Sequence, residues 1–104
     1  MSTFDDRQKD FENKFAHDQQ LQFKVIARRN KLLGLWAASL LGKDGDAAED
    51  YAIDVVKSDF EEAGDEDVYH KLATDLGAKA DEATIRAQMT ALASVAKTQV
   101  MNET

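Results

Sequence analysis

Apolar residues recur at helical spacing along most of the chain, and four segments after residue 18 each carry a continuous apolar face. The pattern predicts helices at about 19–41, from Asp46 to just before Gly64, at about 66–76 and at about 82–101. In the last segment the apolar residues follow one another at steps of four, three, four and four: Ile85, Met89, Leu92, Ala96 and Val100. Because the intervening loops are short, we expect an all-α fold in which these helices form a four-helix bundle.

Residues that favour helix ends support these boundaries. Asp18 is a candidate N-cap for the first bundle helix, and Gly42 stands where a left-handed C-cap would fall. Asp46 and Glu49 have the spacing of a capping box at the start of the second helix. Gly34 lies in the middle of a helix, where glycine is unfavourable by about 1 kcal/mol relative to alanine. A close approach of another helix would explain it.

The first eighteen residues form a segment of a different kind. The stretch "TFDDRQKDFENKFAHD" contains Phe4, Phe11 and Phe15 among charged side chains. In a helix the three rings would share a sector of about 40°, which is narrow for a core-facing stripe. We therefore divide the chain into an N-terminal segment, 1–18, and a bundle, 19–104. The segment could be continuous with the next helix, hinged near residues 16–18, or frayed, since about fifteen residues alone form only a marginal helix.

Two interpretations of the aromatic row fit the sequence equally. The rings could pack on the bundle and extend its core, as apolar stripes usually do. Alternatively, they could anchor the helix in a groove of a partner protein. Fully burying three phenylalanines would contribute about 5–9 kcal/mol before the cost of ordering the segment. Periodicity cannot separate these two interpretations.

Composition and charge narrow the class of protein. With 104 residues the chain is one domain, and the absence of cysteine excludes disulfides and thiolate chemistry. The net charge is −7, but residues 21–43 carry five bases and no acid, whereas residues 44–67 carry eleven acids and one base. The net negative charge of the chain argues against nucleic acid as a partner and favours proteins or a small ligand. No stretch resembles a signal peptide or a membrane span, so we expect a cytosolic protein that is not inserted in the membrane.

Motifs for catalysis or metal binding are weak. His17 and His70 lack the spacing of a zinc site, and the acidic run 44–50 has neither the glycine nor the glutamate that an EF-hand loop requires. The serines stand in no recognised nucleophile motif. We predict that the chain is not an enzyme, holds no metal and requires no cofactor.

A basic stretch, "KVIARRNK", offers one small-ligand hypothesis. Arg28 and Lys31 lie on one stripe with Lys24, and Arg29 lies to one side. The simplest interpretation is a solvated basic face paired with the acidic second helix. Because arginine forks suit phosphate oxygens, a site for ADP or ATP as a regulatory ligand is the alternative, with Arg28, Arg29 and Lys31 as candidate residues.

Three blocks in fixed order point to a family. "FDDRQKDFENKFAHD", "ARRNKLLGLWAA" and "DFEEAGDEDV" closely resemble the zeta subunit, a small inhibitor of the F-type ATP synthase in alphaproteobacteria, over essentially the whole chain. The resemblance implies a four-helix bundle behind an inhibitory N-terminal segment that blocks ATP hydrolysis. The implied partners are the catalytic alpha and beta subunits and the central gamma stalk, so the chain would be cytoplasmic and peripheral to the inner membrane. The implied contact residues are Phe4, Asp5, Asp6, Arg7, Phe11 and Phe15.

The resemblance also implies binding of ADP or ATP on the bundle, but it does not place the residues. The competing class is a helical adaptor or regulatory protein that binds a different protein partner. A nucleotide sensor is a third option. Inhibition of ATP hydrolysis by the purified chain distinguishes among the three.

Overall fold

A computed structural model describes residues 3–59 and 65–103 of the chain, with side chains from residue 5 onward. Its five helices are α1 (Thr3–His17), α2 (Gln19–Leu40), α3 (Gly45–Ser58), α4 (Glu66–Leu76) and α5 (Glu82–Glu103), and one 3₁₀ turn, Gly77–Lys79, follows α4. No strand occurs within these ranges. The predicted all-α class is confirmed. Phe60, Gly64 and the side chain of Phe4, which the sequence analysis singled out, lie outside the described part.

Helices α2 to α5 enclose the larger of two apolar clusters, called the main core below. Its buried side chains come from all four helices, and those of α3, α4 and α5 recur at every fourth position. The residues are Leu33, Ala37, Ala38, Tyr51, Val55, Val68, Leu72, Leu76, Ile85 and Met89. Since none of them belongs to α1, the bundle has a core of its own.

A second apolar cluster, the N-terminal cluster, lies between α1, the first half of α2 and the end of α5. Phe11 is its contribution from α1, and the partly buried Phe15, Leu21 and Leu32 pack around it. The buried members are Phe11, Val25, Ala96, Val100 and Met101. The helix α1 therefore lies against the bundle as an additional layer over one end.

Cap residues set most of the helix boundaries as predicted. The Asp18 carboxylate accepts hydrogen bonds from the backbone N–H groups of Gln20 (2.9 Å) and Leu21 (3.2 Å), which caps α2. Gly42 has a φ of 76°, the left-handed conformation expected behind the end of α2. Both predictions are confirmed.

The capping box predicted from Asp46 is wrong. Helix α3 begins one residue earlier, at Gly45, and Asp44 occupies the N-cap position without a side-chain capping bond. Gly45 has a φ of 52°, a left-handed conformation that suits glycine, and it is the first residue of α3, so Asp46 cannot be the N-cap. Asp46 instead lies in the first turn, where the helix dipole favours a carboxylate.

Gly34 marks the closest approach between α2 and α3. A Cβ placed on it would lie 2.5 Å from the Cα of Ala52, 3.0 Å from the Ala52 Cβ and 3.3 Å from a methyl group of Val55. The near contact is backbone, which cannot rotate away. The close approach predicted from the mid-helix glycine is confirmed.

We expect Gly34→Ala to lower the free energy of unfolding. Overpacking typically costs about 1–3 kcal/mol, which exceeds the gain of about 1 kcal/mol in helix propensity. Urea unfolding followed by circular dichroism measures the change. Ser39→Ala on the exposed side of the same helix is the control and should shift stability by less than about 0.5 kcal/mol. An equal or higher stability of Gly34→Ala would contradict the close packing.

Candidate functional site

Helix α1 is held on the bundle by two aromatic rings. Phe11 is 5% exposed and lies in the N-terminal cluster, while Phe15 is partly buried beside it. The two ring centroids are 6.2 Å apart and the ring planes are inclined by 26°, an offset-stacked arrangement. Since Phe11 and Phe15 are four residues apart, one face of the helix presents both rings to α2 and α5.

Charged side chains join α1 to α5 around these rings. The Lys97 ammonium lies 2.7 Å from a carboxylate oxygen of Glu12 and 4.5 Å from the centroid of the Phe15 ring. The Arg7 guanidinium donates to the backbone carbonyl of Met101 at 3.1 Å. That carbonyl belongs to the last turn of α5, where helix carbonyls lack a partner within the helix and attract cations.

The junction between α1 and α2 is a single residue. Asp18 has φ −110° and ψ 105°, an extended conformation, while His17 and Gln19 are helical. Across the junction the Gln22 side-chain amide donates to the Phe15 carbonyl at 2.6 Å. The helical conformation is therefore interrupted at Asp18, and α1 packs on α2 and α5.

The predicted partner-binding residues fall into two groups. Arg7, Phe11 and Phe15 meet at the contact with the bundle, whereas Asp5 and Asp6 are exposed. The packing of the rings on the bundle, which was one of the two interpretations left open by the sequence, is therefore present for Phe11 and Phe15. That the same residues bind a partner protein stays a prediction.

Sequence reasoning missed Lys97 and Met101, the residues of α5 that hold α1. Both lie more than eighty positions from their partners along the chain, and neither belongs to a recognisable motif. One signal was present in the sequence. The apolar stripe of α5 continues to Ala96 and Val100, so a further element had to cover its last turns.

The three candidate nucleotide residues point to different partners. Arg28 donates to Gln99 at 3.0 Å and to the Glu103 carboxylate, and this bond holds the pKa of Glu103 below its usual value. Lys31 lies 3.7 Å from Glu49.

Arg29 faces another way. It is 7% exposed, donates to Asn30 at 2.9 and 3.1 Å, and lies 2.9 Å from Asp65. Burial raises the pKa of the nearby Asp59 carboxyl, and the charge of Arg29 opposes that rise. These contacts make Arg29 a buried link between α2 and Asp65, the residue directly before α4.

Arg28 and Lys31, by contrast, share a groove of about 410 Å³ between α2 and α3. Phe23, which is 55% exposed, stands at the same groove. The residues that line the groove are Phe23, Lys24, Ala27, Arg28, Lys31 and Val56. This basic groove combines an exposed ring with three cations, and Arg29 is not part of it.

Metal and membrane features are absent from the described residues. No group of three or more His, Asp or Glu side chains there is placed to hold a metal ion. None of the described helices is both long and apolar enough to cross a bilayer.

Comparison with models of protein families shows to which family the chain belongs. A family model described as ATPase inhibitor subunit zeta matches residues 1–99, which include all of α1 and α5 up to its last turn. The chain belongs to this family. The resemblance drawn from the three sequence blocks is thereby confirmed.

Among solved structures, a protein determined by solution NMR is 57% identical to this zeta-family chain and has a TM-score of 0.76. The match covers 81% of this chain and 99% of the other. At this identity the two chains share the fold. No curated protein sequence matches.

Proposed function

We propose that this zeta-family chain inhibits ATP hydrolysis by the F-type ATP synthase, and that α1 does so by inserting between the catalytic alpha and beta subunits beside the gamma stalk. The main support for the proposal is the match of the family model to residues 1–99, which include all of α1. The inhibitor would act from the cytoplasm and stay peripheral to the inner membrane through the synthase.

The chemistry of α1 suits a steric block. Its bundle-facing side carries Phe11 and Phe15, and its outer side carries Asp5 and Asp6. In a cleft between subunits, each buried ring would contribute about 1.5–3 kcal/mol. The carboxylates and Arg7 would fix the register through complementary charges. A helix in a rotary motor needs no chemical step, only a fit that closes the cleft.

The direction of rotation would explain why α1 blocks hydrolysis and not synthesis. If rotation in the hydrolytic direction closes the cleft on α1 and rotation in the synthetic direction opens it, the block stops hydrolysis alone. The bundle, α2 to α5, would remain outside the cleft as the anchor of the helix.

The test is a titration of purified synthase in membrane vesicles with the full-length chain. ATP hydrolysis should fall to a low plateau, while ATP synthesis driven by a proton gradient should continue. If ATP hydrolysis is unchanged at a saturating concentration of the chain, the proposal is overturned. The alternative, an adaptor that binds a different protein, would then be favoured.

A second candidate function is the binding of ADP or ATP as a regulatory ligand, and the basic groove favours it. Lys24, Arg28 and Lys31 line this groove together, and their cationic groups suit the phosphate oxygens of a nucleotide. Arg28 would be shared with Glu103. Because Arg29 is buried against Asn30 and Asp65, this proposal does not use it.

We expect ADP and ATP to shift the NMR signals of Lys31 and Arg28 in the full-length chain. Lys31→Gln should weaken the binding several-fold, whereas Lys79→Gln, at an exposed position in the 3₁₀ turn, should leave it unchanged. An absence of shifts at millimolar nucleotide would remove the groove as a site.

A further inference from the structure

We propose that the junction between α1 and α2 has an interrupted and a continuous state, and that in the continuous state two copies of this chain exchange their α1 helices to form a closed dimer. Asp18 is the only non-helical residue from Thr3 to Leu40. Residues 3–33 contain neither glycine nor proline. A helical Asp18 would therefore join α1 and α2 into one helix. This inference concerns self-association and does not depend on the proposed function.

Two side chains replace the backbone hydrogen bonds that the interruption removes. In a continuous helix the N–H groups of Gln20 and Leu21 would donate to carbonyls four residues earlier. Here they donate to the Asp18 carboxylate, at 2.9 and 3.2 Å. On the other side of the junction the Phe15 carbonyl accepts from the Gln22 side-chain amide at 2.6 Å. The interrupted junction therefore depends on the side chains of Asp18 and Gln22, and the continuous junction needs neither.

A continuous helix is incompatible with the packing of α1 on its own bundle. Phe11 and Val25 would then lie about 21 Å apart along the helix axis, at 1.5 Å per residue. In the structure both belong to the N-terminal cluster, which also contains Val100 of α5. Arg7 reaches α5 as well, where it donates to the Met101 carbonyl at 3.1 Å. With a continuous junction, one chain alone would lose these contacts and expose the Phe11 ring.

A second copy of the chain can restore these contacts with the surfaces that the fold already uses. Its α2 and α5 present the surface that the Phe11 ring fits, and its own α1 needs the same surface in return. The exchange is reciprocal, so a two-fold arrangement closes. The charged pair at the edge transfers too, because Lys97 of one copy would meet Glu12 of the other. Short connections between packed elements favour such an exchange.

We expect the variant Asp18→Ala/Gln22→Met of the full-length chain to dimerise more tightly than the native chain. The interrupted junction loses the N-cap and the amide donor, whereas the continuous helix loses no hydrogen bond. Loss of an N-cap typically shifts a helix equilibrium by about fivefold. Because two junctions change in each dimer, the dissociation constant should fall by at least about 25-fold. Sedimentation equilibrium from micromolar to millimolar chain measures it.

Gln20→Ala is the matched control. Gln20 is exposed in the same turn, and its backbone N–H, which the substitution keeps, donates to Asp18. The control should dimerise as weakly as the native chain. Both variants should remain folded, because the main core contains no residue of α1 or of the junction, and circular dichroism verifies this. If the double variant dimerises no more tightly than the native chain, the proposal is overturned.

A cross-link between copies distinguishes the exchange of α1 from any other association. The chain contains no cysteine, so Glu12→Cys can be placed in one copy and Lys97→Cys in another, each combined with the double variant. Since the Lys97 ammonium lies 2.7 Å from the Glu12 carboxylate, these positions should face each other across an exchanged dimer. After mixing, a short bismaleimide reagent should give a covalent dimer with one copy of each kind, identified by its mass. A tighter dimer without this mixed product would overturn the exchange.

Discussion

Deletion of residues 2–15 is expected to abolish inhibition of ATP hydrolysis while α2 to α5 remain folded. The deletion removes the whole aromatic row, to which the block is assigned, and it removes no residue of the main core. ATP hydrolysis of synthase vesicles measures the first effect. Circular dichroism measures the second, and the helical signal should fall by no more than the share of α1.

The same deletion has a smaller cost in stability. It uncovers Val25, Val100 and Met101, which Phe11 covers in the intact chain. Losing the burial of that ring should reduce the free energy of unfolding by about 1.5–3 kcal/mol. Val95→Ala in the intact chain, at an exposed apolar position of α5, is the control that should change neither inhibition nor folding. Full inhibition by the shortened chain would refute the assignment to α1.

Replacing Phe4, Phe11 and Phe15 together by alanine should weaken inhibition by at least about 100-fold. Three rings inserted in a cleft would contribute about 5–9 kcal/mol, and alanine forfeits most of that. Freeing α1 from the bundle returns only the free energy of docking, which cannot exceed what two rings and a polar rim provide. The loss therefore exceeds the gain, and the half-inhibiting concentration in an ATP hydrolysis titration should rise.

Phe11→Ala alone is expected to have a much smaller effect than the triple replacement. The Phe11 ring stabilises the docked state and the inserted state alike, so its removal weakens both, and the two changes partly cancel in the apparent affinity. An alanine scan with single substitutions would therefore underestimate the contribution of Phe11 to inhibition. Unchanged inhibition by the triple variant would contradict the role of the rings.

Local features predicted the elements well. The acids of the first turn and Gly77 behind the last turn predicted α4 at the bounds that the structure has, 66–76. Asp18 and Gly42 likewise fixed the ends of α2 to within a residue. Such signals succeed because caps act through hydrogen bonds to the adjacent turn. At α3 two signals competed, and the left-handed conformation of Gly45 overrode the Asp46 box.

The function of the aromatic row could not be predicted from its spacing. A row of rings has the same periodicity whether it packs on its own bundle or on a partner. The contact between α1 and α5 depends on Lys97 and Met101, which no local pattern connects to residues 7–15. The basic stretch shows the same limit. Spacing by three placed Arg28 and Lys31 at one groove, but only packing shows that Arg29 turns inward to Asn30 and Asp65.

Contact between α1 and the motor can be measured directly with a photoreactive phenylalanine derivative at position 15. This substitution keeps an aromatic ring at the site, and irradiation should be done on synthase arrested during ATP hydrolysis. We predict covalent adducts to the catalytic alpha or beta subunit or to the gamma stalk, and none from the same derivative at Lys79. Arrested synthase with no adduct from position 15 would contradict insertion of α1.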